Sequence, residues 1–118
     1  MKINTIKELL DAQVICCEEN LEQHVYSACG SDMMSDVLAY VKDQAVLMTG
    51  LVNSQVIRTA EMMDMKCIVF VRSKLPTAEM IELAKDSDIV LLATGKRLYE
   101  ACGILYSNGL VGNRAKNV

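Results

Sequence analysis

Residues 45–63 read AVLMTGLVNSQVIRTAEMM, and their pattern returns twice, as KCIVFVRSKLPTAEMIELAK over 66–85 and as DIVLLATGKRLYEACGILYSN over 88–108. Each stretch opens with a short, nearly continuous apolar run and, after a polar turn, continues with apolar residues at helical spacing. A strand wetted on one face alternates apolar and polar residues, whereas a strand covered on both faces stays apolar throughout. Three covered strands, each followed by a helix, predict an α/β fold: a mainly parallel sheet in a three-layer α/β/α sandwich. The expected strands span 45–49, 66–71 and 88–93, and the expected helices 54–63, 76–85 and 97–108. Pro76 suits a first helical turn, where the missing N–H costs nothing, and Gly109 suits the position just past a helix end.

Upstream, AQVICC (12–17) and VYSAC (25–29) add two strands, which brings the sheet to about five. Thr5-Ile6-Lys7-Glu8 has the spacing of a capping box and predicts a short first helix. MMSDVLAYVK (33–42) carries apolar residues at i, i+3, i+4 and i+7, an amphipathic helix. The chain is expected to be a single domain over 1–118, with 111–118 a flexible tail.

Of the 118 residues, 52% are hydrophobic, with no Trp, one Phe and eight Met, so the core must be aliphatic and thioether. Net charge is -3, and Lys and Arg are scattered singly, which argues against nucleic acid or an anionic membrane as partner. That much apolar surface on a chain of this size points to a homodimer. The first residues lack the continuous apolar segment of a secretion signal, and a cytoplasmic location is expected. The five cysteines sit mostly in apolar runs and read as reduced thiols. Cys16 and Cys17, adjacent in a strand, should point to opposite faces.

Ligands of parallel α/β sheets bind at the carboxyl ends of the strands. The loops there are Thr49-Gly50, Arg72-Ser73-Lys74 and Thr94-Gly95-Lys96-Arg97, whose hydroxyls, cations and helix N-termini suit an anion, although Thr-Gly is also a plain turn. No phosphate loop exists, because Gly95-Lys96 is followed by Arg97 and Val90 stands where the first glycine belongs; no dinucleotide fingerprint exists either. No Cys-x-x-Cys pair suggests zinc, and the single His24 lies in a polar loop, so neither a metal, a cofactor nor a catalytic group is expected. The segment SACGSDMMSD (27–36) repeats Ser-Asp four residues apart. Asp32 and Asp36 would share one helix face, or Ser31 or Asp32 would cap the helix with Asp36 in its first turn.

The stretch YSACGSDMMSDVLAYVKDQAVLMTG with the three strand-helix units after it resembles the DRTGG domain, which is similar to the N-terminal domain of HPr kinase/phosphorylase. The likeness runs from about Ile6 to Leu110 and is strongest at Ser31-Asp32-x-x-Ser35-Asp36-Val37. The signature that names the family falls where this chain reads QHVYSACG (23–30), with Val25 and Gly30 in place. The resemblance implies an α/β fold and a non-catalytic regulatory or accessory role, self-associating, in a redox/hydrogenase or carbon-metabolism setting. A small anionic ligand, nucleotide-like or phosphorylated, would then meet Ser31, Asp32, Ser35, Asp36, Thr49, Gly50, Arg72, Ser73, Thr94 and Gly95. The alternatives are a structural docking partner of a redox enzyme and a small magnesium-dependent phosphotransfer enzyme.

Overall fold

The computed structural model describes residues 1–40 and 44–112. In chain order the elements are α1 (Ile3–Leu9), β1 (Gln13–Cys16), a 3-10 turn (Glu18–Asn20), β2 (Ser27–Gly30), α2 (Met34–Tyr40), β3 (Ala45–Thr49), α3 (Ser54–Met62), β4 (Cys67–Phe70), α4 (Ala78–Asp86), β5 (Val90–Ala93) and α5 (Leu98–Ser107).

The five strands form one sheet in the order β1-β5-β4-β3-β2, with β2 to β5 parallel and β1 antiparallel to β5. Residues fall into rows across the sheet, Val46-Cys67-Val90 first and Thr49-Phe70-Ala93 last. Every residue of β3, β4 and β5 is buried, as their uniform apolar runs predict. The strands from β2 to β5 advance in one direction, so right-handed crossovers place α2, α3 and α4 on the same face, where α3 packs between the other two. After β5 the chain turns to the opposite face, where α5 lies over β2 and β3 and touches α1. The result is the expected three-layer α/β/α sandwich.

Four helices end the same way. After α1, α3, α4 and α5 the chain places one residue in the left-handed region: Asp11 (φ 50), Asp64 (φ 54), Asp88 (φ 56) and Gly109 (φ 99). The next residue, Ala12, Met65, Ile89 or Leu110, is buried and donates its N–H back to Lys7, Ala60, Ala84 or Leu105, closing a Schellman motif. Three of these motifs deliver the chain straight into β1, β4 and β5. Gly109 plays the terminating part read from the sequence; the aspartates do it at a conformational cost, because a Cβ is strained there and a carboxylate faces the negative end of the helix dipole.

Several local expectations need correction. Thr5 lies inside α1, whose N-cap is Lys2 without a side-chain cap, so no capping box forms. α4 begins after Pro76, and Thr77 caps it by accepting the Met80 N–H at 3.2 Å. Cys17 adopts φ 61 and leaves β1, so both adjacent thiols turn toward α4 and β5: Cys16 Sγ donates to Ile89 O at 3.7 Å and Cys17 Sγ to Ala84 O at 4.0 Å. Burial pushes the Cys17 thiol up to about 12, and all five cysteines are free. Of the expected tail, 113–118 lies outside the described residues, while Val111 is tied down, its carbonyl accepting the Ala28 N–H at 3.1 Å along the outer edge of β2. Among the described residues no helix is long and apolar enough to cross a membrane.

Asp88→Gly relieves both the left-handed strain and the charge at the end of α4. It should stabilise the protein by about 1 kcal/mol, and Asp88→Val should destabilise it by about as much; urea unfolding of the two variants checks both signs.

Candidate functional site

At the carboxyl end of the sheet the last buried row gives way to polar groups, and their first use is internal. Asp32 follows β2, and its Oδ1 accepts two hydrogen bonds, from Thr49 Oγ1 at 2.9 Å and from the Gly50 N–H at 2.7 Å. Its Oδ2 faces Arg72 Nη2 at 3.7 Å. The Gly50 N–H, opposed by desolvation and helped by the Thr49 hydroxyl and the Arg72 charge, holds the Asp32 carboxyl below its ordinary value. Gly50 is required here, because a Cβ at that position would collide with the Arg72 guanidinium lying over it. Asp32 therefore ties the ends of β2 and β3 together and faces Arg72 in the turn beyond β4.

This placement differs from the helix cap read in the sequence. Ser31 makes the local turn, its Oγ accepting the Met33 N–H at 3.0 Å, and α2 starts only at Met34 with Asp36 in its first turn. Ser35 and Asp36 are exposed, and among the described residues no side-chain hydrogen bond joins them to Asp32. The Asp32 carboxylate is engaged by Thr49, Gly50 and Arg72. Among the described residues no cluster of three His, Cys, Asp or Glu side chains could hold a metal ion.

Beyond β4 the chain makes a tight turn. Arg72 (φ 59) and Ser73 (φ 58) are both left-handed, and the Lys74 N–H closes onto Val71 O at 3.1 Å. These are the dihedrals of a type I′ turn, usually built from Asn and Gly. Each Cβ-bearing residue in that region costs about 1–2 kcal/mol. The turn persists because its amides extend the sheet, Arg72 N–H to Lys96 O at 2.8 Å and Ser73 N–H to Thr94 O at 3.0 Å. It swings Arg72 and Ser73 beside the loop that leaves β5.

There the two helical connections part, β4 leading to α4 on one face and β5 to α5 on the other, and a crevice opens between the strand ends. A cleft of about 660 Å³ is lined by Arg72, Ser73, Gly95, Arg97, Leu98 and Tyr99. Arg97 is the N-cap of α5 and offers no side-chain cap, so the first amides of that ten-residue helix have no side-chain acceptor. Thr94, by contrast, is spent internally: buried, it donates to Leu10 O at 2.6 Å and accepts from the Lys96 N–H at 3.3 Å. Buried Thr49 is spent in the same way, between Asp32 and the Leu51 N–H.

The ten expected contacts thus divide. Asp32, Thr49 and Gly50 form a clamp; Ser31 makes the local turn beside it; Ser73 and Gly95 line the cleft; Arg72 belongs to both clamp and cleft; Thr94 is spent on Leu10 O; Ser35 and Asp36 stand apart on α2. Arg97 was visible as a loop cation, whereas Tyr99, 90% exposed, gave no signal because it falls at an ordinary helical position.

No family model and no curated protein matches the chain. A solved structure is similar to it: the crystal structure of the CBS and DRTGG domains of the regulatory region of Clostridium perfringens pyrophosphatase, complexed with its activator diadenosine tetraphosphate. The match has a TM-score of 0.72 at 17% identity and covers 88% of this chain and 45% of that one, so this chain spans under half of that regulatory region. The DRTGG-like architecture expected from the Ser31–Val37 segment is borne out, and at this identity the likeness is one of fold.

The clamp carries a pH signature. A carboxylate whose folded value is depressed contributes stability above its unfolded value, near 3.9, and loses it as pH falls through the lower folded value. Asp32→Ala should destabilise by about 1–2 kcal/mol at pH 7 through two lost charge-assisted bonds at a half-exposed site, with the gap to wild type narrowing as pH falls below about 4. Equal destabilisation at pH 7 and pH 2 in urea titrations would show that the carboxylate charge is not what stabilises the clamp.

Proposed function

We propose that the chain is a non-catalytic regulatory module that senses a small phosphorylated anion in the cleft between the ends of β4 and β5. The observation that carries this reading is the Arg72-Ser73 turn: a strained backbone brings a guanidinium and a hydroxyl beside Arg97, Gly95 and the uncapped start of α5. Strain of this kind recurs at ligand clamps, and helix amides with converging guanidiniums suit phosphate oxygens. The cleft volume lies within the range of small-molecule sites.

The charge distribution supports the same reading. The chain is acidic overall, with net charge -3, yet Arg72, Lys74, Lys96 and Arg97 gather in the two loops at this edge. A locally positive cleft in an acidic protein draws an anion to one place rather than to the whole surface. The fold neighbour is a regulatory region complexed with a nucleotide activator, which makes nucleotides the first ligands to try. A redox or carbon-metabolism setting, as the family resemblance implies, completes the proposal.

A thermal-shift series with ADP, ATP, diadenosine tetraphosphate and inorganic phosphate tests it. A ligand present at 100 times its dissociation constant should stabilise by about 2.7 kcal/mol, and Arg97→Ala, an exposed substitution, should weaken binding at least tenfold while leaving the unliganded melting temperature within a degree or two. No shift with any of the four, or an unchanged affinity in Arg97→Ala, would overturn the assignment.

A further inference from the structure

Helix α5 carries a surface that no other described residue of its own protomer covers. Tyr99 is 90% exposed and Tyr106 65% exposed, and Gly103 lies between them in the middle of the helix. A Cβ added at Gly103 would meet nothing within 4 Å, so no contact among the described residues requires glycine. In a helix interior glycine costs about 1 kcal/mol relative to alanine. Among the described residues that cost has no return within one copy of the chain.

At about 100° per residue, Tyr99 and Tyr106 fall four before and three after Gly103, on one flank of the stripe it centres; Glu100 and Ser107 fall three before and four after, on the other flank. This arrangement is self-complementary. A two-fold axis through Gly103 that runs two α5 helices antiparallel brings Tyr99 of each copy beside Tyr106 of the other, and Glu100 of each copy beside the Ser107 hydroxyl of the other. The paired glycines let the backbones approach, the tyrosines stack at both ends, and each carboxylate gains a hydroxyl donor. A parallel pairing would instead set tyrosines against Glu100.

We propose that α5 is an isologous interface between two copies of this chain, centred on Gly103. The expected area fits a real but modest dimer. An aromatic side chain carries about 150–250 Å², so burying the four tyrosines removes roughly 600 Å². With Glu100, Gly103, Ile104 and Ser107 the total reaches about 1,000 Å², the lower bound of a specific interface. Closed two-fold pairing also consumes the patch completely, so association stops at two.

Sedimentation velocity of the full chain from 10 µM to about 1 mM tests the assignment. The wild type should rise from 13.0 kDa toward twice that mass and no further. Gly103→Lys puts a bulky charge on the axis without touching the protomer core; it should stay monomeric throughout and unfold in urea no earlier than wild type. Tyr106→Ala, remote from the cleft at Arg72, should weaken the dimer about tenfold. A wild type that is monomeric at 1 mM, one that grows beyond a dimer, or a Gly103→Lys variant that dimerises like wild type would each overturn the proposal.

Discussion

The three central strands are covered on both faces at every residue, and this constraint dictates where the molecule can do anything chemical. No polar side chain can enter the rows from Val46 to Phe70 without a partner, since an unpaired buried polar group costs several times what a typical hydrogen bond returns. Polar residues are therefore pushed to the row where the strands stop, and there Thr49 and Thr94 are still buried enough that their hydroxyls must be spoken for. Thr49 gives its hydrogen to Asp32 and Thr94 to Leu10 O. One step further out, Arg72, Ser73, Gly95 and Arg97 line the open cleft.

Asp32 converts this geometry into a preorganised cation. A solvated arginine samples many rotamers; Arg72 lies over Gly50 and opposite a carboxylate that two other donors hold in place. The ion pair itself is half-exposed and 3.7 Å long, so its own contribution is small. Its effect is directional. The same carboxylate that looked, from spacing, like a helix cap is better described as a brace between β2, β3 and β4.

The fold was legible because covered parallel strands leave an unmistakable mark: AVLMT, CIVF and VLLA have no polar residue before their ends, and the helices between them keep their period. The errors have a common cause. Thr5, Pro76 and Asp32 were assigned by short-range rules for helix starts, yet α1 starts at Ile3, Thr77 caps α4, and Asp32 is recruited by strand-end donors distant in sequence. Nor could the sequence show that three aspartates, rather than glycines, would take left-handed helix ends, or that Arg72 and Ser73 would do the same in a turn. In each case a buried neighbour, Ala12, Met65, Ile89 or the amides facing Lys96 and Thr94, overrules local preference.

Tyr99 stands where the two surfaces meet. It walls the cleft beside Arg97, and it is the more exposed of the two aromatic residues flanking Gly103. If α5 pairs with a second copy, the ring packs against that copy's Tyr106, and the cleft wall changes from an exposed side chain to a packed one. An anion bound at Arg72 and Arg97 then meets a more ordered site in the dimer than in the monomer. Thermodynamic linkage makes the relation reciprocal: whatever the dimer adds to ligand affinity, the ligand adds to dimer affinity. A modest interface suits this role, because a coupling of about 1–3 kcal/mol is enough to shift a balance in which both states are populated. The glycine that costs one protomer stability would then be what makes its assembly responsive.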